Sequence, residues 1–204
     1  MNLINRVKNI LTNPQAEWNV IEYETPDINK IFVGYVVPLA GASAVAAFIG
    51  YGLIGTGAFG YRIVGIEWGL YHALTIFIGS LLSVYITSLV VDMLAPNFGS
   101  QKHFGRSLQL VAYSFTPAWI GGLLAIFPPI AFVGSLFGLY GLYLLFMGLP
   151  KIKRTFDDRR VSYFVVILVV TLVVYIVIGW ILGTILMNLF GLSYGFHAGA
   201  GFLG

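Results

Sequence analysis

Residues 161–190 read VSYFVVILVVTLVVYIVIGWILGTILMNLF, a run rich in Val, Ile and Leu without a single Lys, Arg, Asp or Glu. About 20 mainly apolar residues are enough to cross roughly 30 Å of hydrocarbon as a helix. This run therefore reads as a membrane span. Just before it, residues 151–160 (KIKRTFDDRR) hold five Lys and Arg. Before those, residues 107–150 form an uncharged run of 44, too long for one span and right for two. Pro128-Pro129 sits in its middle, where a reversal belongs because proline cannot donate a helix hydrogen bond. Residues 68–91 and 31–54 are two more uncharged runs. The predicted spans are about 31–54, 68–92, 106–127, 130–150 and 161–190. The runs are continuous rather than alternating and twice the length of a barrel strand, so helices that satisfy their own backbone are expected. The fold class is all-α: an integral membrane bundle of five transmembrane helices. A cytoplasmic amphipathic segment over 1–30 precedes it, and an external tail over 191–204 follows.

Composition agrees. The chain has 204 residues, 58% of them apolar and 9% charged. Soluble domains run near 45–50% and about 25%. A soluble monomer is excluded for want of polar surface, and disorder for excess of apolar residues. The absence of cysteine excludes disulfides and thiolate chemistry. Eleven Lys and Arg are too few to suggest nucleic acid, and membrane lipids are the expected partners. Their placement carries the information. Ten of the eleven fall in the N-terminal segment and in the second and fourth connections, and only Arg62 falls on the other side. The positive-inside rule then predicts a cytoplasmic N-terminus and an external C-terminus. The first apolar run follows 30 mixed polar residues and is longer than the 7–15 of a signal-peptide core, so no cleavage is expected.

In the N-terminal segment, Leu3, Ile4, Val7, Ile10 and Leu11 share one helix face, with Arg6 and Lys8 elsewhere. Such a stripe lies on the leaflet or packs on the bundle, and both remain open. Asn13-Pro14 reads as an N-cap followed by first-turn proline. A second short helix near Pro14–Tyr23 would set Trp18 and Tyr23 at headgroup depth. Glu17, Glu22, Glu24 and Asp27 read as a solvated acidic stretch, with opposition to the basic fourth loop as the competing reading. Gly-rich 50–60 reads as a flexible exit from the first span. Small residues recur at four-residue spacing at Ala42, Ala46 and Gly50, at Gly134 and Gly138, and at Gly179 and Gly183. Such positions allow close helix packing, within the monomer or across a homodimer.

Few polar residues lie in the spans. Asp92 closes the second span; partly buried, it would want a cation, and Lys151 and Arg106 are placed at the right depth. The competing reading is a solvated helix-end carboxylate. Pro96 should stop that helix and Gly99 permits a turn. Pro117 should kink the third span and free a carbonyl, with Ser114 or Thr116 available to compensate. Tyr113, and Tyr140 with Tyr143 one turn apart, would extend a polar seam on the cytoplasmic side. His72 reads as an interfacial hydrogen-bonding group, while His103 and His197 lie in a loop and the tail. No metal-ligand spacing, phosphate loop or nucleophile elbow occurs. No catalytic, cofactor or metal site is therefore expected.

The order of short motifs points further. The chain opens Arg6-Val7-Lys8-Asn9-Ile10-Leu11, then Asn13-Pro14 and Glu17-Trp18, then Leu94-Ala95-Pro96-Asn97-Phe98-Gly99. Tyr113-Ser114 with Pro117, Pro128, and Leu139-Tyr140 to Gly148-Leu149 follow before the basic loop. Over roughly residues 1–190 this order resembles the bacterial branch of the Yip family, named for eukaryotic members that interact with Ypt/Rab GTPases. The resemblance implies a five-helix bundle with a cytoplasmic N-terminus. The chain lacks the long N-terminal domain and the Asp-Leu-Tyr-Gly-Pro signature of eukaryotic members, which implies a prokaryotic plasma membrane instead of a role in vesicle traffic. The expected function is a non-enzymatic membrane scaffold, adaptor or bilayer-organising protein that binds other membrane proteins or a second copy of itself. The alternative is a small transporter, channel or lipid-handling protein. A membrane enzyme would have only Asp92 with Lys151 or His103 for acid–base work.

Overall fold

A computed structural model describes residues 2–58 and 61–192. The tail beyond Leu192, His197 included, falls outside the described residues. Among the described residues, five helices are long and apolar enough to cross a membrane: Ile28–Ile54, Ile66–Phe98, Phe104–Ile126, Pro128–Lys153 and Asp157–Leu189. They are called spans one to five. The fold is the expected all-α membrane bundle. Two short helices precede it, α1 (Leu3–Thr12) and α2 (Pro14–Tyr23).

Local chemistry sets the boundaries. The Asn2 and Asn13 side chains cap α1 and α2, with Pro14 in the first turn of α2. Asp27 caps span one by accepting from the Lys30 backbone N–H at 3.1 Å, and that bond lowers its carboxyl pKa. Pro38 enters span one between two π-helical stretches, Phe32–Val36 and Phe48–Ile54. The described first half of the 50–60 segment is no flexible exit. Helix runs through it to Ile54, with Gly50 against the Ala125 carbonyl and Gly52 against Gly69, where a Cβ would collide. A two-stranded antiparallel ribbon, Thr56–Ala58 with Tyr61–Ile63, then leads to span two. Pro128-Pro129 marks the turn between spans three and four.

Each interior proline leaves a carbonyl that another group must satisfy. Pro117 divides span three into Phe104–Ser114 and Thr116–Gly122, and frees the Tyr113 carbonyl. The Thr116 hydroxyl donates to that oxygen at 2.7 Å. Pro150 does not end span four, which continues to Lys153. The freed Phe146 carbonyl accepts from Arg160 Nε at 3.1 Å and Nη2 at 2.9 Å, with the guanidinium stacked 3.9 Å from the Phe146 ring centroid.

Span three forms the axis. Leu108, Leu110, Val111, Ala112, Tyr113 and Trp119 are all buried. It meets span four backbone to backbone, with Gly121 against the Gly134 carbonyl and Gly141 against the Ser114 carbonyl. Gly138 and Gly179 face open space, so neither makes the within-monomer contact that is one of the two readings of the small-residue spacing. Span five lies at the periphery, buried only at Tyr163, Ile167, Ile178 and Leu186.

Candidate functional site at the charged end

The N-terminal hairpin and the connections after spans two and four meet at one end of the bundle. Gln101 N–H donates to the Lys153 carbonyl at 3.0 Å, and Arg106 Nη1 donates to the Ile21 carbonyl at 3.1 Å. Tyr140 OH donates to the Leu11 carbonyl at 2.9 Å, which satisfies the open end of α1 from span four.

Two buried ionic centres lie there. The first joins spans two, three and four. Asp92 Oδ1 accepts from Lys153 Nζ at 3.0 Å, Ser107 Oγ at 3.0 Å and the His103 backbone N–H at 2.7 Å. Ser107 Oγ gives its one proton to Asp92, so it accepts from Lys153 at 2.7 Å. Lys153 is fully buried and Asp92 7% exposed, a depth at which a charge persists only when paired. Asp92 is thus no solvated helix end. Its partner is neither Lys151 nor Arg106. Lys151 is exposed, because two residues along a helix rotate a side chain by about 200°. Past Asp92, Pro96 is exposed in the 3-10 turn Ala95–Phe98, and Gly99 ends the turn at φ 65°. Tyr163 of span five donates to the Val91 carbonyl and stacks on Phe98 at 4.7 Å.

The second centre binds the hairpin to the bundle. Arg6 Nη1 donates to Glu17 Oε1 at 2.6 Å, and Nη2 bonds Glu24. The guanidinium lies 5.3 Å from the Tyr113 ring centroid. Tyr35 meets Tyr113 edge-on at 4.9 Å, and its hydroxyl lies 2.7 Å from Thr116 Oγ1. Because Thr116 spends its proton on the Tyr113 carbonyl, Tyr35 is the donor. The acidic stretch is therefore not uniformly solvated, since Glu17 is buried on Arg6. Trp18 is fully buried against Gly148, while Tyr23 is exposed. The α1 stripe packs inward through Ile10, but Ile4 faces out.

Of the predicted seam, Asp92, Tyr113 and Tyr140 gather at this end, and Pro117 is buried just beyond. Tyr143 stacks on Tyr140 at 5.8 Å but is half exposed, so it does not extend the seam inward. Sequence reasoning missed Lys153, Ser107, Arg6 and Glu17. The available signal was a basic helix followed by four acidic residues. At the opposite end, His72 stacks on Tyr51 at 3.8 Å and meets Trp68 edge-on; its Nε2 is buried with no hydrogen-bond partner among the described residues, unlike the bonded group expected. No group of three or more His, Cys, Asp or Glu suited to a metal occurs among the described residues.

Five spans, a charged end and a short N-terminal hairpin describe a membrane protein of a recognisable plan. The Yip1 domain matches residues 8–200. The chain belongs to the Yip1-domain family. Among curated relatives, the inner membrane protein YohC of Escherichia coli strain K12 is 26% identical over 165 residues, covering 78% of this chain and 85% of YohC. YohC of E. coli O6:H1 gives the same figures. No solved structure matches. For this Yip1-domain protein the resemblance read from the motif order is confirmed, and its span count with it. The matched region includes Arg6's partner Glu17 and all of the Asp92 centre, but begins two residues after Arg6 itself.

Proposed function

We propose that this Yip1-domain protein is a non-enzymatic scaffold or adaptor of a prokaryotic inner membrane, with the charged end cytoplasmic and the C-terminus outside. The observation that carries this reading is span five. It touches the bundle along one stripe and leaves Tyr175 and Trp180 more than 70% exposed. Gly179, one turn before Gly183, has nothing within reach of a Cβ. Apolar burial does not drive helices together in lipid, and small residues that permit close backbone contact do. Span five therefore offers other membrane proteins, or a second copy of the chain, a face the monomer does not use. The inner-membrane relative and the gathering of Lys and Arg at one end support the location and orientation. The ionisable groups of the two buried centres bond one another, which supports a structural role over catalysis. Photo-crosslinkers placed at Ile176 and Trp180 in native membranes test the reading. Discrete protein adducts, absent with the same probe at Ile167, are expected. Lipid adducts alone at all three positions contradict it.

A second reading, a small transporter, channel or lipid-handling protein, rests on span three. The helix breaks at Phe115, and beside the break Ser114 Oγ is buried without a hydrogen-bond partner among the described residues. Broken spans with unsatisfied polar groups line transport sites elsewhere. Ion and labelled-lipid flux in proteoliposomes, lost in Ser114→Ala, would favour it.

A further inference from the structure

A cleft of about 310 Å³ opens at the charged end, walled by Arg106, Lys151 and Arg154, with His103, Gln101 and Glu22 completing the rim. Three separate parts of the chain bring these side chains together: the hairpin, the start of span three and the end of span four. The other cations nearby are mostly engaged. Arg6 and Lys153 are buried in ion pairs, Arg160 holds the Phe146 carbonyl, and Lys30 and Arg159 pair with neighbouring aspartates. The cations of the cleft differ. Lys151 and Arg154 have no carboxylate partner among the described residues, and Arg106 bonds only the Ile21 carbonyl and Gln109. Glu22 stands on the same wall yet pairs with none of them. Three cations against one carboxylate leave the cleft positive by two.

Backbone geometry adds a second observation. Arg154 sits at φ 50°, ψ 42°, and it is the only non-glycine residue with positive φ among those described. This left-handed position after a helix is ordinarily filled by glycine or asparagine, because a Cβ crowds the backbone there. A large cation is held at a strained position and directed to the cleft. Local strain of this kind is retained where a side chain is needed.

We propose that this cleft binds the phosphodiester headgroup of an anionic phospholipid. The chemistry is that of a phosphoryl oxyanion held by two guanidinium groups and an ammonium, with Gln101 available as a neutral donor. Its position at the ends of spans three and four places it where lipid headgroups lie. Basic pockets between spans on the cytoplasmic side take such headgroups. The proposal stands apart from the adaptor reading and requires only that the chain span a membrane.

Native mass spectrometry of the full chain in mild detergent tests it, with palmitoyl-oleoyl phosphatidylglycerol as probe and the phosphatidylethanolamine analogue as control. Phosphatidylglycerol should bind the tighter of the two. Lys151→Gln/Arg154→Gln should weaken it roughly twenty-five-fold, from about a factor of five per cation lost. Lys102→Gln/Arg159→Gln removes the same charge from the same end without touching the cleft, and should bind as the parent does. Arg154→Gly should raise the melting temperature by relieving the strained φ while lowering lipid binding, a combination that a purely structural role would not produce. Equal binding by the cleft and control double variants overturns the site. Full displacement of phosphatidylglycerol by millimolar inorganic phosphate overturns the lipid assignment and makes free phosphate the ligand.

Discussion

Spans three and five differ in almost every respect. Span five is unbroken from Asp157 to Leu189, rich in Val, Ile and Leu, and almost wholly outward-facing. Span three is interrupted at Phe115, carries Ser107, Gln109, Tyr113, Ser114 and Thr116, and is the most enclosed of the five. In water the apolar helix would be the core and the polar one the surface. In a bilayer the assignment reverses, because lipid tails solvate Val and Leu as well as a protein interior does. Polar groups, which have no partner in lipid, must find one inside. Serine and threonine thus mark the axis of this bundle, and an uninterrupted apolar run marks its edge.

The contrast can be broken by substitution, starting where the effect is largest. Lys153→Met leaves Asp92 buried beside Ser107 without a counter-charge, and should cost about 3 kcal/mol or more, as for other half-removed buried pairs. Asp92→Asn added to it should restore part of the loss. Reversible unfolding in mixed micelles measures both, and a Lys153→Met protein as stable as the parent would show that the centre is wet. Gly121→Val forces span three off the Gly134 carbonyl and should cost about 1–3 kcal/mol by overpacking. The same change at Gly179 on span five should stay within about 0.5 kcal/mol, as for open surface positions.

Smaller effects sharpen the comparison. Thr116→Val leaves the buried Tyr35 hydroxyl without its acceptor and removes one donor from the Tyr113 carbonyl, and should cost about 1–3 kcal/mol for an unmet buried group. Thr184→Val on span five removes only a bond to the carbonyl one turn back, and should change stability by less than about 0.5 kcal/mol. Trp180→Leu, fully outward, should leave the unfolding midpoint of the purified monomer where it is. A loss at Trp180 comparable to that at Thr116 would mean that span five is packed after all.

What could be read from sequence follows the same logic. The five spans were legible because hydropathy reports what lipid accepts, and span five was the plainest of all. Pro117 and Thr116 were legible as break and compensation, since the chemistry of a freed carbonyl is local. The need of Asp92 for a cation was legible too, but its identity was not. Pro150 was read as the end of span four, and only the distant Arg160, by taking the Phe146 carbonyl, lets the helix run on to Lys153. Stopping the helix three residues early leaves Lys151 as the nearest cation, on the wrong face. Helix periodicity places Arg6 off the apolar stripe and says nothing more of it. Its burial depends on Glu17 and Glu24 from the next helix and on Tyr113 from span three, none of which periodicity sees. The openness of Gly138 and the close contact at Gly121 were likewise set by which helix lies opposite.

The chain contains no cysteine, so single-cysteine variants can be spin-labelled without altering the rest of the molecule. Collision of the label with dissolved oxygen in proteoliposomes, scanned through 108–119 and 172–181, is the most direct measurement of all. Oxygen access should be high at Val173, Tyr175, Ile176, Val177 and Trp180, and low at Leu108, Leu110, Val111, Ala112 and Trp119. Low access at Tyr175, Ile176 and Trp180 in the purified monomer, or high access at any of the five buried span-three positions, would contradict the arrangement of axis and edge.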